Sequence, residues 1–146
     1  MTIKAEYARQ RLLFFVAQDV TDPVRNRMKT LVESLSNKRS WQITAPKFID
    51  SIDYSGTSEA DFPDETLGCM AEVYAASKGE LPASLDAQAL AEVELLVKVA
   101  QDFSRAYSLE IEFELDGVFV GAIDRGALDK SLEHGLLGEW RAHLKA

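Results

Sequence analysis

Cysteine, histidine, proline and glycine are all scarce in this chain. A single cysteine, Cys69, leaves no partner for an internal disulfide and gives no sign of an oxidising compartment, so a cytoplasmic setting is expected. The two histidines, His134 and His143, lie nine residues apart with Gly135 between them, so they do not share a helix face as two metal-binding histidines of H-E-x-x-H do. Four prolines and eight glycines in 146 residues argue for a folded globule rather than a disordered chain. Long apolar runs are also missing. The longest, Leu12 to Ala17, has six residues, against the roughly 18 that a helical span needs, so neither a membrane span nor a signal peptide is expected. No G-x-S-x-G elbow, G-x-x-x-x-G-K-[ST] loop or strand-linked G-x-G-x-x-G occurs, which removes the sequence support for a serine nucleophile or a phosphate cradle.

Positive charge is absent from two long tracts. Between Phe48 and Ser77 there are seven acids and no Lys or Arg, and between Ala106 and Asp124 there are five acids and no base. Residues 1–47 carry nine basic and four acidic residues, whereas residues 48–146 carry seven and twenty, within a net charge of −8. A surface built from these tracts repels nucleic acid and attracts cationic partners. The alternative is that the acidity serves solubility alone.

The strongest pattern present is Leu109 to Ile123, LEIEFELDGVFVGAI. Leu109, Ile111, Phe113 and Leu115 alternate with Glu110, Glu112, Glu114 and Asp116, which makes a strand with one apolar face and one row of carboxylates. Asp116-Gly117 supplies the two positive-φ residues of a type I′ turn, so the chain is expected to reverse into Val118–Ile123. An unbroken two-residue hairpin sets Leu115 opposite Val118, Glu114 opposite Phe119 and Phe113 opposite Val120. That register places both Phe119 and Ile123 among the glutamates. Large apolar residues on such a face imply either a covering helix or a contact surface.

Elsewhere, Arg11–Gln18 (RLLFFVAQ) reads as a buried strand, though so short a run also suits a helix. Asp22-Pro23 opens a helix with Asp22 as N-cap and the stripe Val24, Met28, Leu31, Val32 and Leu35, ending near Asn37. Trp41–Tyr54 is strand-like but interrupted by Pro46, Ser55–Glu65 is an acidic loop, and Leu67–Ala75 returns as a strand. A helix from about Leu85 to Tyr107, capped by Ser84, carries Leu90, Val93, Leu96, Val97, Ala100 and Phe103 on one face. Ala127–Glu133 and Leu136–Leu144 read as two short helices broken at His134-Gly135. The expected fold is a single α+β domain over residues 1–146, with an antiparallel sheet of about five strands, helices mainly on one face, and the order β-α-β-β-α-β-β-α.

Candidate chemistry is thin. Alternate carboxylates of Glu110, Glu112 and Glu114 stand about 7 Å apart and could share a hard cation such as Mg²⁺, but no further ligand lies nearby in sequence. The loop acids Asp50, Asp53, Glu59, Asp61, Asp64 and Glu65 do not follow the calcium-loop pattern. No metal, cofactor or catalytic residue is therefore assigned. Tyr54 at the loop mouth and Tyr74 beside Glu72 border carboxylates, a combination suited to meeting Lys or Arg through apolar area and cation–π attraction. The expected partner-binding set is Glu110, Glu112, Glu114, Phe119, Ile123, Asp53, Tyr54, Asp61 and Tyr74. In size, acidity and lack of active-site motifs the chain resembles immunity proteins, which implies a basic protein partner such as a cationic toxin. Neither nucleic acid nor membrane is expected as a partner. The competing expectation is an acidic secretion-type chaperone or adaptor, usually homodimeric, and the third is a metal-dependent enzyme using the carboxylate row. A monomer and a homodimer both suit the sequence.

Overall fold

The computed structural model describes residues 9–18, 20–38, 41–53, 64–74 and 81–145. The strands are β1 (Gln10–Val16), β2 (Lys47–Asp53), β3 (Asp64–Val73), β4 (Glu110–Leu115), β5 (Val118–Asp124) and β6 (Ala127–Leu128). The helices are α1 (Asp22–Lys38), α2 (Ala83–Tyr107) and α3 (Glu139–Lys145), the last continuing directly from a π-helical segment, Ser131–Gly138. All six strands form one antiparallel sheet in the order β2-β3-β1-β4-β5-β6, an α+β fold.

Every helix packs on the same face of this sheet. Helix α1 covers β2 and β3, α2 covers β4 to β6, and the π-helical segment lies on β5. The apolar stripes explain this directly. Met28, Val32 and Leu35 of α1 and Leu90, Val93, Leu96, Val97, Ala100 and Phe103 of α2 are buried, as their spacing predicts. They meet Leu12, Phe14 and Val16 of β1, Leu67, Cys69, Ala71 and Val73 of β3, and Ile111 and Phe113 of β4. Phe14 and Phe113 sit side by side across the strand pair with ring centroids 5.5 Å apart.

Local chemistry fixes the ends of the elements. The carbonyl of Pro82, not the side chain of Ser84, receives the first bonds of α2, from the N–H groups of Leu85 and Asp86 at 2.9 Å each. Asp22 is already helical, and its carboxylate accepts a 2.8 Å bond from the Arg25 guanidinium while the Thr21 carbonyl takes the Arg25 N–H. At the far end of α2, Ser108 adopts φ 53° and the buried Ser104 hydroxyl donates to the Leu109 carbonyl at 2.6 Å. The same oxygen accepts from Gly126 N–H at 3.0 Å, so one serine joins α2, β4 and the β5–β6 turn.

Three expectations are corrected after residue 120. Residues 127–128 form β6, following a second two-residue turn at Arg125 (φ 48°) and Gly126 (φ 88°), where a helix was expected. The helical segment beyond it runs through Gly135 without a break, because its backbone continues in π geometry from Ser131 to Gly138 and then as α-helix. Trp140 anchors this segment. It is fully buried, and its indole Nε1 donates to Asp86 Oδ1 at 2.7 Å, which satisfies a buried carboxylate of α2. The third correction, the placement of Ile123, concerns the acidic strand face itself.

A candidate partner-binding face

The hairpin turns at Asp116 (φ 49°) and Gly117 (φ 84°), the positive-φ pair that a type I′ turn requires, and Leu115 pairs with Val118 and Glu114 with Phe119. The pairing then shifts by one residue. Phe113 stands opposite Gly121 instead of Val120, Glu112 opposite Ala122, and Ile111 opposite Ile123. This β-bulge turns the rest of β5 over. Ile123 is consequently fully buried in the core and is removed from the glutamate face. The cause lies in the close approach of the last helical segment: a Cβ on Gly121 would lie 2.6 Å from Leu132 Cβ and 2.8 Å from Leu132 N. Asp129 fixes the same junction, accepting from Ala122 N–H and Leu132 N–H at 2.9 Å each.

Phe119 keeps its expected place beside Glu114 and is 51% exposed. The register across the sheet then shows what stands around it. One row runs Lys47, Met70, Leu13, Glu114 and Phe119 from β2 to β5. The next runs Ile49, Gly68, Phe15, Glu112 and Ala122. These side chains point away from the helices, because strand neighbours alternate and Leu12, Phe14, Val16, Cys69 and Phe113 are in the core. Leu13, Phe15, Ile49 and Met70 are partly exposed, and no described helix lies over them. The glutamate row thus faces outward on a sheet surface that also carries aliphatic and aromatic residues from the four other strands β1, β2, β3 and β5.

The sequence reasoning missed Leu13, Phe15, Ile49 and Met70 as members of this face. Their signal was the unbroken run Leu12–Ala17: a strand that is apolar on both sides, in a sheet with helices on one side only, must present apolar residues on the other. Of the residues expected at a partner surface, Glu110, Glu112, Glu114 and Phe119 are brought together. Tyr74 is not among them. It is 1% exposed and belongs to the core, just past the end of β3. Asp53 ends β2, opposite Asp64 in the backbone pairing, while Tyr54 and Asp61 lie outside the described residues.

Charge on this face is divided. Arg9 pairs with Glu72 at 3.6 Å. Asp116 is tied to β1, accepting the Arg11 N–H at Oδ1 (2.9 Å) and donating its own N–H to the Arg11 carbonyl (3.0 Å). The carboxylates of Glu112 and Glu114 accept no hydrogen bond and form no ion pair among the described residues. A groove of about 630 Å³ runs across three strands, lined by Arg9, Arg11 and Leu13 at the central strand β1, Met70 and Glu72 on β3, and Glu114 and Asp116 at the end of β4. That volume falls within the usual range for sites that accept a small ligand or a few residues of a partner.

Among the described residues, no group of three or more His, Cys, Asp or Glu side chains is arranged to hold a metal ion, and no helix is long and apolar enough to cross a membrane. Cys69 lies on the core side of β3, where burial pushes its thiol up to about 12. It is a neutral packing residue rather than a thiolate nucleophile. Fold and surface together define an α+β domain with one helix-covered sheet face and one open face mixing apolar and acidic residues. Comparison with protein-family models, curated proteins and solved structures gave no significant match.

Proposed function

We propose that this is an acidic protein-binding domain whose open sheet face engages a basic partner protein, in the manner of an immunity protein that neutralises a cationic toxin in the cytoplasm. The observation that carries this reading is the mixture on the open face: Leu13, Phe15, Met70 and Phe119 stand beside Glu112 and Glu114, which are half-buried and have no partner among the described residues. Apolar side chains of this kind gain by being covered, at about 25 cal/mol per Å². Uncompensated carboxylates among them select a cationic partner, accelerate its approach and disfavour acidic competitors. The division of labour follows. Glutamates act on the association rate, while the apolar residues hold the complex once it has formed.

Affinity capture from the native host, followed by kinetics with the purified partner, tests this. The partner should be basic, and its association should slow as salt rises. Glu112→Lys should slow association further, whereas Phe119→Ala should act mainly by speeding dissociation. A partner whose rates respond to neither substitution binds elsewhere.

A second reading, a client-binding secretion chaperone, is favoured by one observation. Among the described residues β2 is the outer strand of the sheet, with a neighbour on one side only, so its other edge could accept an extended client segment. The two readings part on the site of protection: β2 backbone amides for the chaperone, Leu13, Phe15 and Phe119 side chains for the toxin-binding domain.

A further inference from the structure

We infer that the groove between β1, β3 and the β4–β5 turn is the anchor pocket of this face, and that its occupant is an arginine or lysine side chain of the basic partner. This rests on the partner-binding reading above and specifies where on the face the binding is concentrated. The floor is apolar, made by Leu13 and Met70, which the register sets next to each other across β1 and β3. Such a floor suits the methylene stem of a long cationic side chain, which covers apolar surface while its head seeks an anion. Glu114 supplies that anion. It follows Leu13 in the same cross-strand row, it is half-buried, and its carboxylate has no partner among the described residues.

The other charges around the groove direct the cation to Glu114. Glu72 already pairs with Arg9, and Asp116 already accepts the Arg11 N–H. Arg9 and Arg11 line the groove at the central strand β1 and repel an incoming cation there, and since Arg9 already pairs with Glu72 on the β3 flank, Glu114 on the β4 flank is left to receive it. An acidic or neutral side chain would leave Glu114 unpaired under its cover, which is the costly arrangement.

Nuclear magnetic resonance of the full-length, nitrogen-15-labelled chain tests this, with acetyl-Leu-Arg-Leu-amide as probe and the same peptide carrying norleucine in place of arginine as control. The arginine peptide is expected to cause saturable shifts at Leu13, Met70, Glu114 and Gly117, and the norleucine peptide to bind about tenfold more weakly. Glu114→Gln, nearly the same shape without the charge, should remove the preference for arginine. Arg11→Gln should strengthen arginine binding. Equal binding of both peptides, or shifts centred on the outer surface of α2, would overturn the groove as a cation anchor. The natural partner separates the two levels: if Phe119→Ala and Glu112→Lys impair its binding while Glu114→Gln does not, the groove fails and the binding face stands. If none of the three has an effect, the face itself fails.

Discussion

The two sides of β1 have nearly the same composition and opposite surroundings. Leu12, Phe14 and Val16 are 1–4% exposed beneath the helices, while Leu13 and Phe15 stand on the open face, only partly covered. The same division continues through β4, where Ile111 and Phe113 are fully buried and Glu112 and Glu114 lie on the other side. Apolar residues on the helix side are accounted for by the core. Those on the open side are not, and their company, carboxylates without a partner among the described residues on one neighbour and an exposed phenylalanine on the next, is the ground for proposing an interface there.

The largest expected effect breaks this comparison outright if it is wrong. Phe113→Ala on the helix side should destabilise the fold by about 3–5 kcal/mol, whereas Phe15→Ala on the open side should cost about 1 kcal/mol or less, because less surface is buried there. Denaturant midpoints of the two variants measure the difference. Equal losses would mean that Phe15 is a core residue and the open face is not open.

A smaller effect sharpens the boundary between the faces. The bulge in β5 decides which side Ile123 occupies, and it depends on contact between Gly121 and Leu132. Gly121→Ala places a methyl group 2.6 Å from Leu132 Cβ and should cost about 1–3 kcal/mol through overpacking. Thermal or denaturant unfolding shows this directly, and an undisturbed midpoint would mean that the last helical segment does not lock the bulge. At the turn itself Gly117 has open space around it but φ 84°. Gly117→Val should therefore destabilise by only about 1 kcal/mol or slightly more, through backbone strain alone.

Much of this architecture was legible because short-range chemistry wrote it. The alternation of Leu109–Asp116 and the Asp116-Gly117 turn are local, and so is the helical stripe of α2; each needs only its own neighbours to form. What was not legible depends on residues distant in sequence. The bulge at Val120-Gly121 answers to Leu132, so a regular register carried Ile123 to the wrong face. The buried position of Tyr74 likewise depends on how the end of β3 enters the core rather than on its neighbours Glu72 and Met70. Gly135 looked like a helix end because glycine often is one, yet Trp140, tied to Asp86 on α2, holds the segment helical beyond it. The open face was half legible. Its acids stood out, while Leu13 and Phe15 were hidden inside a run that read simply as buried.

The central claim, that the open face is the partner-binding surface, is tested most directly by side-chain footprinting with hydroxyl radicals on the free chain and on its complex with the captured partner. The account predicts that Phe15, Met70 and Phe119 react in the free chain and are protected in the complex, while Phe14 and Phe113 stay unreactive in both. Tyr107, 40% exposed at the end of α2, should remain equally reactive throughout. Protection of Tyr107 with Phe15, Met70 and Phe119 unchanged would contradict the account and move the interface to the helical side of the molecule.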